Sequence, residues 1–299
     1  MINNQKATHV ALNFVHGVDP KMLEILLERF LNPEAVIAVS IDELCTIPRL
    51  TPTIAEAIKD IEIDAIVSEL TALEQIGITV HTLEEEVYPQ NLRSIPNPPL
   101  ILFQVGTYHD EDTKSIAIVG TRKPSASGAK LARQLAVGLV ERGFTIASGL
   151  ALGIDTAAHQ GTLEARGRTL AVLGSGIQVI HPRRNQGLAE QIRQSGAIFS
   201  ESKPNARANA GALMSRDRIV SGLALATIAV EASDRSGSMD TANQARKQNR
   251  KLFAIDNEHT GNQRLIAEGA TAITDITETS LDWIAEATMT VKEAASQNR

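Results

Sequence analysis

The sequence has few cysteines and few aromatic residues. Its 299 residues hold one cysteine, Cys45. An internal disulfide is therefore excluded, as is a cysteine-rich zinc site. Cys45 lies in an apolar helical stretch and reads as a small core residue. Aromatics make up 3% of the chain and Trp283 is the single tryptophan, which leaves little of the flat surface on which unpaired bases stack. No apolar run approaches transmembrane length, and the start, Met-Ile-Asn-Asn-Gln-Lys, lacks the apolar region of a secretory signal. The expectation is a soluble, cytoplasmic chain. The common nucleotide signatures are missing too. No G-x-G-x-x-G follows the first buried apolar run, no acidic residue closes the next run for a ribose, and no G-x-x-x-x-G-K-[ST] loop occurs. A nicotinamide cofactor and a P-loop ATPase are poor fits. No metal-ligand set is legible, so no metal and no cofactor is expected.

What is present is ordinary globular material, 43% hydrophobic and 21% charged, long enough for one large domain and a small one. The net charge of −6 hides an asymmetry. Residues 1–85 hold 5 Lys/Arg against 14 Asp/Glu, a balance of −9. Residues 115–257 hold 19 Lys/Arg against 10 Asp/Glu, a balance of +9. A polyanionic partner should meet the basic middle and avoid the acidic N-terminal third.

The chain is organised around Ser115–Ser127. Ser115-Ile-Ala-Ile-Val119 is short and β-branched, the pattern of a strand buried on both faces. Gly120 breaks it, and Thr121, Arg122, Lys123 and Pro124 form a turn. From about Ser127 the period becomes helical, with Leu131, Leu135, Leu139 and Val140. Free amides at such a helix start attract anions, and Arg122 adds a fixed charge. The plainer alternative is a strand-to-helix turn with a serine cap and solvated basic residues.

Residues 1–80 read as a small all-α domain. Two stretches, Val15–Leu23 and Ile47–Ile58, suggest a SAM-like or helix-hairpin-helix arrangement, a motif in which hairpin glycines let the backbone approach a phosphate. Here the first copy keeps Gly17 but has Asp19, and the second has Arg49 and Thr51 at the glycine positions. With its acidic balance, this domain reads as a packing or protein-interaction module. Residues 81–114 read as a proline-rich connector and first strand, residues 115–280 as the main domain, and residues 281–299 as a C-terminal helix and tail. From Ser115 onward, seven short apolar runs alternate with helical stretches. That alternation predicts an α/β fold, an open, mainly parallel sheet with helices on both faces.

Ligands of such sheets bind beyond the carboxyl ends of the strands. Those ends carry Gly120–Ser125, Ser148-Gly149 onward to Asp155, Gly174–Gln178, Ser200–Lys203 and Ala232–Thr241. Small residues there expose amides, and Arg122, Lys123, Arg183, Arg184, Lys203 and Arg235 supply charge. The expectation is a phosphate-lined cleft. Asp155 and His159 stand four apart on one helical face and invite an acid–base reading. The alternative, favoured because no nucleophile accompanies them, is a capping Asp155 with His159 packed beneath the sheet edge. Glu231, beside Ser236-Gly-Ser238, is read as orienting backbone amides, holding a ribose or satisfying a loop.

Taken in order, these stretches resemble the DNA-processing protein A family, DprA or Smf. The matching pieces are Tyr88-Pro with Leu92 and Pro98-Pro-Leu100, Val119-Gly-Thr-Arg122 with Ser125 and Gly128, Ser148–His159, Gly161-Thr-Leu163, Gly174-Ser-Gly-Ile with His181-Pro and Asn185, Ser200-Glu201, Arg216–Leu223, and Val230-Glu-Ala with Ser236-Gly-Ser238 and Thr241-Ala. The resemblance implies an extended Rossmann-like domain that binds single-stranded DNA without sequence preference and without catalysis. It implies loading of the RecA recombinase in natural transformation, and a homodimer formed through that domain. The phosphate-binding loop carries over to Gly120, Thr121, Arg122 and Ser125, and an R-x-R element to Arg216 and Arg218. With the strand-end residues, the expected DNA contacts are Gly120, Thr121, Arg122, Lys123, Ser125, Ser148, Gly149, Arg183, Lys203, Arg216, Arg218, Ser236 and Gly237. Three departures stand out. The family's R-N-R reads Arg216-Asp217-Arg218, Ala212–Ser215 replaces an aromatic-proline pair, and Asp256-Asn257 replaces a Pro-Gly. The competing class is a nucleotide sensor or a phosphoribohydrolase-like enzyme. Such an enzyme would carry P-G-G-x-G-T where this chain has Asp234-Arg-Ser-Gly-Ser238.

Overall fold

The structure, a computed structural model, describes residues 2–234 and 236–297, with side chains through Met289. It divides into two compact units, Met1–Tyr88 with Pro99–Phe103, and Pro89–Pro98 with Gln104–Arg299.

The first unit holds helices α1 (Asn4–Asn13), α2 (Pro20–Phe30), α3 (Pro33–Ala38), α4 (Ile41–Leu44), α5 (Pro52–Lys59) and α6 (Ile63–Gln75), then strand β1 (Ile78–Thr82). Side chains cap most of these helices. Asp19 accepts from the Met22 amide at 2.8 Å, and Asn32, Ser40 and Thr51 cap α3, α4 and α5 in the same way. Proline opens α2, α3 and α5, where its missing N–H costs nothing. Leu12, Leu23, Leu26, Leu44 and Ile58 close the core. The expectation that residues 1–80 are all helix is corrected at the end, since Ile78–Thr82 is a strand. Its Ile78, Val80 and Thr82 are buried alternately, the period-two signature of a strand.

The two altered hairpins have a local explanation. Gly17 has φ 94° and Arg49 has φ 73°, so both sit where glycine is favoured. Asp19 and Thr51, at the other glycine positions, spend their oxygens on helix amides. Arg49 reaches Asp19 at 2.7 Å, linking the two hairpins by an exposed ion pair.

The second unit contains α7 (Gln90–Arg93) and, after β2 (Ile101–Gly106), the alternating region. Its elements are β3 (Ser115–Val119), α8 (Ala126–Glu141), β4 (Thr145–Ser148), α9 (Ile154–Glu164), β5 (Thr169–Val172), α10 (Gln186–Ser195), β6 (Ala197–Ser200), α11 (Ala210–Ser215), α12 (Asp217–Leu223), β7 (Ala226–Ala229), α13 (Gly237–Lys247), β8 (Lys251–Ile255), α14 (Thr260–Ala267), β9 (Thr271–Ile273) and α15 (Glu278–Gln297). Strands β3 to β9 lie in the order β6-β5-β4-β3-β7-β8-β9. All adjacent pairs among them are parallel. The register sets Ile116 beside Ile146 and Ile118 beside Ile228. Every residue of β3, β4, β5, β6 and β7 is buried, as helices on both faces require. Leu135 and Leu139 of α8 and Ile284 of α15 pack with β3 and β8 in the main core. The chain runs outward from β3 to β6, then returns to place β7 on the other flank of β3. The order therefore reverses at β3, the place where open α/β sheets form a ligand crevice.

Candidate nucleic-acid interface

At that reversal point the loops after β3, β4 and β7 converge. Gly120 ends β3 at very close quarters, since a Cβ there would meet Ile154 at 2.5 Å and the Glu231 carbonyl at 2.9 Å. The Thr121 amide donates to that same carbonyl at 2.6 Å, and the Thr121 carbonyl accepts from Ile154 at 3.2 Å. Gly153, with φ 86°, allows this second contact, because a Cβ would come within 2.3 Å of the Thr121 carbonyl. The loop is thus clamped between β7 and α9, leaving Arg122 and Lys123 exposed at its tip.

The start of α8 is already occupied by an anion. The buried Glu231 carboxylate accepts from the Ser125 amide at 2.9 Å and from its hydroxyl, while Ser125 Oγ accepts from the Gly128 amide at 2.9 Å. Gly128 makes room for this, since a Cβ there would fall 2.2 Å from Glu231 Oε1. His259 Nε2 stands 3.4 Å from the same carboxylate. The α8 helix end satisfies an internal charge, and the expectation that it receives a phosphate is corrected to that extent. Of the roles foreseen for Glu231, orienting amides is the one observed.

The loop after β4 is fastened from below. Asp155 Oδ2 accepts from the Gly149 and Ala151 amides at 3.1 and 3.3 Å. The Asn185 side-chain Nδ2 donates to the Leu150 carbonyl and to Thr156 Oγ1, each at 2.9 Å. His159 is fully buried, with Nδ1 2.7 Å from Thr169 Oγ1. Burial, with the nearby Arg216 charge, pushes its imidazole down to about 3. It is a neutral packing residue against β5, while the capping role expected of Asp155 is corrected: Gly153 precedes α9 with no side-chain cap, and Asp155 holds the loop amides instead.

Arg216 lies under the cavity floor at 5% exposure. Its guanidinium covers Gly149, where a Cβ would collide with it, and Nη1 donates to the Val172 carbonyl at 2.8 Å. Nε lies 3.0 Å from Asp217 Oδ1 but out of line, so this buried donor has no hydrogen-bond partner. Asp217 is 6% exposed. Loss of solvation drives its carboxyl up to about 7; Arg216 opposes the shift, and Asp155 and Asp240 add to it. Arg218 turns away. It forks onto the Glu201 carboxylate at 2.6 and 2.7 Å and donates to the Asn97 carbonyl at 2.8 Å.

Together these parts enclose a cavity of about 560 Å³. Gly120, Thr121, Arg122 and Lys123 form one rim, and Ser236, Gly237 and Ser238 at the start of α13 form the other. Ser236 makes no side-chain cap on α13, unlike Ser125 on α8. Leu213 and Met214 of α11 supply an apolar wall, with Met214 58% exposed. Gly149, Asp155, Arg216, Asp217 and Asp240 supply the polar part of the floor, among other lining residues. Eight of the residues expected to contact DNA meet here: Gly120, Thr121, Arg122, Lys123, Gly149, Arg216, Ser236 and Gly237. The others are elsewhere. Ser125 caps α8, Ser148 donates to the Ile118 carbonyl inside the sheet, Arg218 is paired with Glu201, and Arg183 and Lys203 are exposed outside the cavity lining. Arg235 lies outside the described residues. The acidic Asp240 and the Leu213–Met214 wall were missed as site residues. Their only signal was adjacency in sequence to Ser236-Gly-Ser238 and to Arg216.

The sequence profile of the family described as DNA recombination-mediator protein A matches residues 79–283. That of the SAM-like helix-hairpin-helix tandem matches residues 11–61. The chain is similar to Protein Smf of Synechocystis, 39% identical over 201 residues, which is 64% of this chain and half the length of that relative. It is similar in structure to DNA processing protein A of Streptococcus pneumoniae, with TM-score 0.78 and 29% identity over 94% of this chain and 97% of that one. It is also similar to DNA processing protein A of Helicobacter pylori, described for its single-stranded DNA binding mode, with TM-score 0.62 and 29% identity over 71% of this chain and 96% of that one. With the profile matched over more than half of its length and the fold shared, the chain belongs to the DNA recombination-mediator protein A family.

Proposed function

We propose that this protein binds single-stranded DNA at the cavity beyond β3, β4 and β7, holding the strand by its phosphates. The observation that carries the reading is the pairing of two exposed cations, Arg122 and Lys123, with the start of α13 across one cavity at the reversal point of the sheet. Helix amides and fixed cations together favour a phosphate. The +9 balance of residues 115–257 extends the attraction beyond the cavity. The similarity to the Helicobacter pylori protein, described for single-stranded DNA binding, supports the same reading.

The role is binding without catalysis. His159 is held neutral against Thr169, and Asp155 is engaged by two amides. His159 stands outside the cavity lining, and the Asp155 carboxylate, which lines it, is taken up by those amides. On the family's account, the protein protects incoming DNA in the cytoplasm, acts as a homodimer and hands the strand to the RecA recombinase. RecA-driven strand exchange, with and without this protein, tests that last step. A nucleotide sensor is the second reading, favoured by an apolar wall and carboxylates inside a cavity large enough for one nucleotide. Competition separates the two. Labelled oligo-dT should be displaced by unlabelled oligo-dT and not by dTMP at matched nucleotide concentration. Equal displacement would favour the sensor.

A further inference from the structure

Resting on the reading of the cavity as a DNA site, we propose that Asp217 binds a phosphate of the strand as the neutral acid, donating its proton to a phosphate oxygen beside the Arg216 guanidinium, so that strand capture takes up one proton from solvent. The charges around the floor lead to this. Arg216 is the cation at the floor: Asp217 on its own segment stands 3.0 Å from it, Asp155 on α9 lies within reach of its charge, and Asp240 on α13 lines the same cavity and acts on Asp217. Arg122 and Lys123 face the same cavity from the β3–α8 loop, and Thr241 of α13 lines it with its hydroxyl donated to the Gly237 carbonyl at 3.2 Å. With all three carboxylates ionised, the floor repels a phosphate even though a buried guanidinium lies beneath it.

Protonation of Asp217 removes one of those charges and creates a donor. The Arg216 Nε is buried, lacks a hydrogen-bond partner and stands 3.0 Å from Asp217 Oδ1. Asp217 Oδ2 faces Gly237 at the open start of α13, 3.7 Å from where a Cβ would stand. A phosphate oxygen at this corner would meet the acid proton and lie near both the guanidinium and the first turn of α13. Asp217, at the corner beside Gly237 and the unpartnered Arg216 Nε, is placed to change charge near neutrality, since loss of solvation has driven it up to about 7; loss of solvation also raises Asp155, which is held by the Gly149 and Ala151 amides. An entering phosphate drives it higher still, because a second negative charge favours the neutral acid.

The test is the affinity of the full chain for fluorescein-labelled oligo-dT from about pH 6 to about pH 8.5 at constant ionic strength. The wild type should lose about tenfold in affinity per pH unit above about pH 7, the slope of one linked proton. Asp217→Asn, which keeps an N–H donor and cannot titrate, should bind with no such slope. Calorimetry of the wild type at about pH 8, in two buffers of different ionisation enthalpy, reads the proton directly and needs no variant. It should record uptake of one proton per strand segment bound. A flat wild-type profile with tight binding, or zero proton uptake, overturns this inference and leaves the DNA site standing. A slope that survives in Asp217→Asn assigns the proton to another group and also overturns it. Absence of binding at every pH overturns both this inference and the reading on which it rests.

Discussion

Asp217 and His159 are both buried, and burial moves their proton affinities in opposite directions. Asp217 stands at about 7 against an ordinary 3.8, so between those values the folded chain holds a proton that the unfolded chain has lost. Its contribution is present at low pH and is lost as pH rises toward 7. Asp217→Asn should therefore unfold at a higher temperature than wild type at about pH 8, and the gap should close by about pH 4. Thermal melts across that range check it, and a variant less stable at about pH 8 would contradict it. His159 stands at about 3 against an ordinary 6.5, so in that window the unfolded chain binds the extra proton. Stability should fall as pH drops from about 6.5, and His159→Gln should lose less stability than wild type between about pH 6.5 and about pH 5 in denaturant titrations. The burial of His159 was foreseen from sequence, and that of Asp217 was not. The spacing of Arg216, Asp217 and Arg218 did show that the three cannot share a helical face. Which way each points depends on Glu201 and on α13, brought in from other parts of the chain.

At the scale of elements, the strands were the legible part. Ser115–Val119 is a β-branched run of five residues with both faces covered, and it begins and ends as its pattern predicts. Strands β4 to β9 follow the same logic, with ends shifted by a residue or two because fraying and capping set boundaries locally. The short helix α11 went unread, since six residues carry too little periodicity to stand out. The start of α8 was misjudged for a different reason. Its partner, Glu231, lies 106 residues beyond Ser125, and nothing local announces it. That contact makes a direct prediction. Gly128→Ala would set a methyl 2.2 Å from Glu231 Oε1 and displace the carboxylate from the helix start. The cost should be about 1–3 kcal/mol, the usual range for forcing a group into a packed site. Chemical denaturation measures it, and an unchanged midpoint would contradict the tight packing described here.

Across the whole molecule, charge divides the labour. The first 85 residues balance to −9 and residues 115–257 to +9, and this much was plain in the sequence. The hairpins of the first unit have their glycine positions filled by Asp19, Arg49 and Thr51, with the side chains turned to capping and to an internal ion pair. Arg49→Ala should accordingly leave oligo-dT affinity within about twofold, since an exposed pair of this kind contributes at most about 1 kcal/mol to stability. A loss of tenfold would bring the first unit into the DNA interface. The central claim concerns the second unit, and a salt series on wild type and Arg122→Ala tests it most directly. Log affinity for oligo-dT should fall linearly with log salt, at about −0.7 per phosphate neutralised, and the variant should bind more weakly with a slope shallower by about 0.7. An affinity indifferent to salt, or an Arg122→Ala variant that matches wild type in affinity and slope, would contradict the account.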